Sequence, residues 1–561
     1  MPASSPALAD SNHPIQIAAR TYALSLSLSL APSLVPFLTS RKARSGGVKS
    51  LADILRKELG WNGFAFAMSV GVGGGAVLKH CLAELDRSHG RPEHPAPSNE
   101  SPASPLSAHI RRIERYVAAL PDWSKAFVAN ALSASVAIML LQSRRSRPKY
   151  RKASLPMTVP MQDTLNGLGK RTSPTLDLTL LLFVRAMDVI VRATVLRSAS
   201  VEGGKGNQDA EANDANVERR RLWTSRLDAF VFWASSARIM WCFFYQSERL
   251  PRSYNKWIMT LANIDPRILA ALRGIRLGDI RYTTGQCHPV DLLTSLSTDL
   301  GYPAAWGDFS RMPAYGGPKT IEAWKALGVS GRNGLGGIPC ELVHGGVTGG
   351  SCTANATIRG VHAFAEAMAI YLPVHTLPIL LTNPRKLLCV SELIKTLTSV
   401  LRSSAFLSTF VSTIWISVCL TRTLALARLF PGISHDFWDG PLGCTFVGSL
   451  MCGSSIWIEQ GRRRGEMALY VLPRALRACF SESWIRSGKR SVKIVERLVF
   501  ILSLATLLTA AVHRTDSLRG LSRWTLAFIM KGPNASFWKR KQDTVQALQT
   551  DATKSDTPSA S

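Results

Sequence analysis

The chain is short of charge, and shorter still of negative charge: Asp, Glu, Lys and Arg make up 19% of its 561 residues, with 38 acidic against 67 basic. Soluble domains carry about 25% charged residues, so a conventional soluble surface is excluded. Catalytic patterns are missing too. The chain has no HExxH, no nucleophile elbow and no paired catalytic acids in a suitable setting, and its Gly-rich run Val70 to Gly75 lies inside an apolar segment, not after a strand. The expectation is a protein that is not an enzyme. The ten cysteines imply no disulfide framework, because Cys81, Cys242, Cys419, Cys444, Cys452 and Cys479 lie in or beside apolar stretches, where a thiol behaves as a small hydrophobe. Before Thr21 the only charged residues are Asp10 and Arg20, which resembles neither a basic signal region nor a transit peptide. Thr21 to Thr39 is therefore expected to be a retained span.

What is present is apolar residue, 46% of the total, gathered into stretches separated by Arg, Lys, Ser and Pro. That is the pattern of membrane spans and loops. Candidate segments are Thr21 to Thr39, Trp61 to Leu78, Ala126 to Leu141, Leu176 to Leu196, Ala229 to Tyr245, Val361 to Leu381, Ala405 to Leu424, Leu442 to Ile458, Met467 to Phe480 and Leu498 to Val512. The fourth and ninth are the doubtful ones, since they contain Arg185, Asp188 and Arg192, and Arg474, respectively. The expected fold is an all-α polytopic membrane bundle of eight to ten segments. The net charge of +29 falls at the ends of these stretches, as in Arg41 to Arg44, Arg144 to Arg147 and Arg462 to Arg464. Basic loops of that kind face anionic lipid headgroups, whereas nucleic-acid binding would interleave the cations with aromatics. The bilayer and its anionic headgroups are the expected partners, with no nucleic acid.

The two ends of the chain repeat one another. Asp177-x2-Leu180-x4-Arg185-Ala186 matches Glu466-x2-Leu469-x4-Arg474-Ala475, preceded by Gln142-Ser-Arg-Arg and Gln460-Gly-Arg-Arg. Val231-Phe232-x2-Ser235-x-Ala237 matches Val499-Phe500-x2-Ser503-x-Ala505, and Trp257 follows as Trp524 does. At the front, Arg20 leads to a Leu-Ala-Pro run as Arg359 leads to Leu372-Pro373. Two homologous membrane halves are expected, at 16–260 and 354–530, joined by a Gly/Pro-rich membrane-flanking insert at 261–353. The termini 1–15 and 531–561 and the insertions 86–107 and 198–220 are expected to be disordered. Basic loops at equivalent places favour parallel repeats; an inverted repeat is the alternative.

Ionisable residues within spans are candidates for function. Arg185, Asp188 and Arg192 are spaced to share a helix face, which suits either an intramembrane polar site that includes Arg474 or an interfacial helix. Arg359, His362 and Glu366 form a stripe that could line a pathway or could be a simple helix-end pair. Gly71-x3-Gly75, and Gly440, Gly443, Gly448 and Ser449-x3-Gly453, allow close helix approach, within one chain or between copies. Cys340-x3-His344-x7-Cys352, with Cys287-His288 upstream, offers thiolates and imidazole suited to zinc, though at no standard finger spacing. A disulfide or free thiols packed at the membrane surface fit the same residues. Asn355-Ala-Thr357 and Asn534-Ala-Ser536 are sequons only if they enter a secretory lumen.

Cys340 to His344, Ser351-Cys352-Thr353, Arg359, the Pro373 to Leu381 segment running into Asn383-Pro384-Arg385, and the Leu180, Arg185, Ala186, Asp188 segment together resemble the transmembrane protein 135 family. The membrane part of that family is similar to the superfamily of peroxisomal membrane protein 4 and the mitochondrial inner-membrane translocase. The resemblance is clearest over 340–530. It implies a non-enzymatic, multi-pass protein of a peroxisomal or mitochondrial membrane, acting in membrane organisation or lipid homeostasis. The alternative is a transporter or channel for a small solute or lipid.

Overall fold

The computed structural model describes residues 12–39, parts of 52–61, 63–89, 120–143, 173 and 175–200, 209–289, 291–330, 332–382, 384, 389–487 and 489–532. In chain order the principal helices are α1 (Pro14–Thr39), α2 (Phe64–His89), α3 (Asp122–Ser143), α4 (Leu176–Ser200), α5 (Asp209–Tyr245), α6 (Arg252–Ala262), α7 (Pro266–Leu277) and α8 (Leu292–Asp299). They continue as α9 (Pro318–Ala326), α10 (Cys340–His344), α11 (Cys352–Thr382), α12 (Val390–Cys419), α13 (Cys444–Cys452), α14 (Gly461–Cys479), α15 (Arg490–His513) and α16 (Gly520–Lys531). The only sheet among the described residues is the antiparallel pair Ile280–Arg281 and Gln286–Cys287.

Five helical stretches among the described residues are long and apolar enough to cross a membrane: Phe64–Glu84, Asp122–Ser143, Leu222–Tyr245, Val390–Leu429 and Arg490–His513. One of them, α3, turns an apolar stripe outward. In α3 the buried face is mostly small or polar, with Ala126, Ala129, Asn130, Ser133 and Ala137 beside Ile138 and Leu141, while Val128, Leu132, Val136 and Met139 point outward. In water such an exposed apolar stripe would be costly, whereas in lipid it is neutral and small residues govern helix contact. Neither α4 nor α14, which hold the two doubtful segments, is among the five.

The described residues fall into two compact units. In the first, α2 packs between α1 and α3, and α15 packs against α3 and α4. The glycines of α2 set the close approaches. A Cβ at Gly73 would lie 2.6 Å from the Ala18 Cβ of α1, one at Gly71 would lie 2.9 Å from the Ala137 Cβ of α3, and one at Gly74 would lie 2.8 Å from the Ser133 Oγ. The core joins Ile17, Phe64, Val72, Ile138, Phe500 and Leu504. The buried carboxyl of Glu496 accepts hydrogen bonds from Ser173 and Thr175, and α16 lies over α1 and α15.

In the second unit, α11 pairs with α12, α12 with α13, and α5 packs against both α13 and α14. Gly448 of α13 fits against Val418 and Ile414 of α12, and Gly453 fits against Trp233 of α5. The carbonyls at the C-terminal end of α5 are satisfied by α7: Arg273 donates to Phe243 O and Phe244 O at 3.1 Å, and Arg276 donates to Tyr245 O at 2.7 Å. Cations at that end also complement the helix dipole.

These units cut across the sequence segments 16–260 and 354–530, since α5 packs with the later segment and α15 with the earlier one. The reading of 198–220 as disordered is corrected in part, because α4 continues to Ser200 and α5 begins at Asp209. The 209–220 run is Ala-, Glu- and Arg-rich and free of Pro and Gly, which favours helix. In the insertion expected at 86–107, α2 continues to His89 and the rest lies outside the described residues, as do residues 1–11 and 533–561 of the expected disordered termini.

Candidate functional site

Helices α5, α6, α12 and α14 of the second unit line an open apolar cavity of about 620 Å³. Each contributes a stripe at helical spacing: Phe232, Ser236 and Met240 from α5, Tyr254, Trp257 and Ile258 from α6, and Phe406, Phe410 and Ile414 from α12. From α14 come Glu466, Tyr470 and Arg474, one turn apart from each other, which form a polar edge on an otherwise apolar wall. Arg474 lies over the Tyr470 ring at 4.2 Å and donates to Tyr470 O at 2.7 Å. An apolar cavity of this size with few polar groups is the usual form of a small-molecule site.

At one wall of the cavity, Arg359 of α11 lies 4.0 Å over the indole of Trp415. Arg359 is 2% exposed. Its Nε donates to Asn355 Oδ1 at 2.8 Å, Nη2 to His344 O at 2.7 Å, and Nη1 to Ala262 O at 2.6 Å and also to Asn263 O. This guanidinium is a tie between α6, α10 and α11. Of the stripe read from sequence, His362 is exposed and Glu366 half-buried, and the hydrogen bonds of Arg359 go instead to Asn355, Ala262, Asn263 and His344. Asn355, the first sequon residue, is fully buried, which closes that site to glycosylation.

His344 of α10, Cys352 at the start of α11 and Cys419 at the end of α12 are buried together, with their ligand atoms all within 4.8 Å of one another. Cys340 joins the same buried cluster. His344 Nδ1 is 2.6 Å from Gly349 O, and Nε2 faces Cys419 Sγ at 3.8 Å. Contact with Cys352 and burial push the Cys340 thiol well above its usual range. Burial opposes protonation of His344, but the contact with Cys352 and the Gly349 carbonyl outweigh it and leave the imidazole raised. Sequence reading grouped Cys340, His344 and Cys352 but took Cys419 for a packing residue; the polar run Thr421 to Thr423 just after it was the available signal. Cys287 and His288 lie elsewhere, on and after the short β-ribbon.

Beside this cluster, the insert is clamped to the loop after α12. Arg422 and Asp439 form a fully buried ion pair, with Nη2 to Oδ2 at 3.1 Å, and Tyr282 Oη donates to the same carboxylate at 2.7 Å. The Arg422 guanidinium overcomes the cost of burial and holds Asp439 below the usual carboxylate range, while burial near that carboxylate pushes the Tyr282 phenol up. His435 is buried and held down to about 3, chiefly by desolvation.

In the first unit, Asp188 pairs with Arg192 at 3.4 Å and with Arg519 at 2.8 Å. Arg519, far along the chain, was not foreseen as its partner. Arg185 is half-buried on the same helix, and Arg474 belongs to the cavity of the other unit. The polar residues grouped from the repeat are thus divided between separate places. Comparison with protein-family models, curated proteins and solved structures finds no match for this chain.

Proposed function

We propose that this chain is a non-enzymatic, multi-pass protein of a peroxisomal or mitochondrial membrane that holds an amphipathic lipid in its second unit, in keeping with a role in lipid homeostasis. The observation that carries the lipid reading is the cavity of about 620 Å³, walled by aromatic and aliphatic side chains and edged by Glu466, Tyr470 and Arg474. An acyl tail matches the apolar wall, and a polar head can meet the hydroxyl and guanidinium of α14. The organelle assignment rests on the sequence resemblance to the transmembrane protein 135 family.

We also read the two units as copies of one plan with their fifth helices exchanged. In support, α1 to α4 with α15 and α16 pair in the same order as α11 to α14 with α5 and α6. Arg20 and Arg359, matched in sequence, make equivalent bonds in the two units.

The test is photolabelling of purified, detergent-solubilised protein with a diazirine-bearing lipid. Labelled peptides from α6 and α12, and at least a ten-fold loss of label in Val411→Trp with the fold retained, are expected. Equal labelling of wild type and Val411→Trp would overturn the lipid reading.

A further inference from the structure

We propose that Cys340, His344, Cys352 and Cys419 form a zinc site that fastens the insert to the ends of α11 and α12. Thiolate and imidazole donors in a Cys₃His set are a standard structural zinc shell, with Zn–S near 2.3 Å and Zn–N near 2.0 Å. Those lengths make the donor-to-donor edges of a tetrahedron about 3.5–3.8 Å. The Cys419 Sγ to His344 Nε2 distance of 3.8 Å is about 0.3 Å longer than the sulfur-to-nitrogen edge, the shorter of the two, and the His344, Cys352 and Cys419 donors fit within 4.8 Å. Cys340 packs against Cys352 and Cys419; its Sγ, 3.3 Å from Thr423 Oγ1, lies outside the 4.8 Å group and would turn in to complete the shell.

The surroundings also suit a metal. A metal-ligating histidine donates its other ring N–H to a carbonyl, which fixes the tautomer. Here Nδ1 lies 2.6 Å from Gly349 O, which directs the lone pair of Nε2 toward Cys419. Three thiolates and Zn²⁺ carry one net negative charge, which a buried site must balance. Arg332 is 6% exposed, its charge acts on Cys340, and its Nε and Nη1 have no hydrogen-bond partner among the described residues. A buried cation with spare donors is what an anionic zinc–thiolate centre requires. Its other buried neighbour, Arg422, is already neutralised by Asp439.

Loading replaces three S–H bonds with Zn–S bonds and adds one Zn–N bond, so three protons are released and no electrons move. The donors come from three places: α10 at the end of the insert, the first residue of α11, and the last of α12. The metal would cross-link parts of the chain up to 79 residues apart, Cys340 to Cys419, where no disulfide joins them.

The experiment measures zinc in the full chain, purified in detergent without chelator, by elemental analysis. About one zinc per chain is expected, and Cys389→Ser, an exposed cysteine, should keep it. Cys419→Ser should weaken zinc binding at least ten-fold. As a second readout that needs no variant, Co²⁺ exchanged into the wild type should give thiolate-to-cobalt charge-transfer bands, and zinc should protect Cys419 from alkylation in mass spectrometry. A chain that purifies and remains folded without zinc, gives no such bands and shows Cys419 alkylated equally with and without zinc would overturn the proposal. Stoichiometric zinc unchanged in Cys419→Ser would overturn it too. Neither result bears on the lipid cavity, which is tested separately.

Discussion

Arg20 and Arg359 do the same work in the two units. Arg20 reaches back one turn to Gln16 Oε1 at 2.9 Å and caps α16 through Ile529 O at 3.0 Å; Arg359 reaches back to Asn355 Oδ1 at 2.8 Å and caps α6 through Ala262 O at 2.6 Å. In both, one guanidinium spends its fixed fork of donors on helix-end carbonyls that would otherwise be orphaned.

Arg359→Met should therefore lower stability, not merely alter a pathway. It leaves the buried carbonyl of Ala262 unsatisfied, worth roughly 1–3 kcal/mol, while Asn263 O can turn to solvent and His344 O keeps the Val347 N–H at 3.3 Å. His362→Gln, at an exposed position, should change stability by less than about 0.5 kcal/mol. Denaturant unfolding in detergent checks both. A stable Arg359→Met protein that lost solute flux in liposomes would restore the pathway reading of that stripe.

Removing one partner of the buried Arg422–Asp439 pair should be more damaging than removing both. Asp439→Asn leaves an uncompensated buried guanidinium and should cost roughly 3–5 kcal/mol, whereas Arg422→Met with Asp439→Leu should recover part of that loss. Thermal unfolding of the three proteins measures the difference.

Acid should loosen the second unit. The pKa of His435 is about 3 when folded, against 6.5 as a free side chain. Below pH 6.5 the unfolded chain binds a proton that the folded chain refuses, so stability falls as the pH drops from 6.5 toward 3, by about 1.4 kcal/mol per pH unit for one proton. Asp439, depressed below its ordinary 3.8, contributes stability above that value and loses it as pH falls through its folded pKa. The charges facing His435 are Asp439, Asp436, Arg422 and Arg332, two of each sign. Unfolding midpoints from pH 8 to 4 should fall, and the slope should flatten in His435→Gln; an unchanged slope in that variant would assign the acid effect elsewhere.

Bulk on the glycine face of α2 should disturb the first unit. Gly73→Val would drive side-chain atoms into Ala18, where a Cβ alone already approaches to 2.6 Å, and overpacking of this kind costs about 1–3 kcal/mol. Gly432→Ala, with open space around it, is the control. Proteolysis of membranes holding each variant reports the outcome.

The GxxxG pattern of α2 could be read from the chain, but its partners could not, because spacing gives a face and not what meets it. Asp188 illustrates the same limit. Its i,i+4 bond to Arg192 follows from helical periodicity, while its shorter bond to Arg519 joins residues 331 apart. Local geometry is encoded locally; a contact over that separation depends on the whole packing.

By itself the sequence determined the helical, lipid-facing character of this protein, because composition and the clustering of apolar residues set the solvent in which each segment is stable. It also placed Cys340, His344 and Cys352 in one short stretch, where proximity along the chain brings them together. Only the tertiary structure decided that α5 packs against α13 and α14, and α15 against α3 and α4, far from them in sequence, that Cys419 lies with the Cys/His cluster, and that four separate helices line a cavity. Between apolar helices in lipid there is little hydrophobic preference for one partner over another, so pairing is set by close fit at glycines, serines and buried arginines, and that fit exists only once the helices have met.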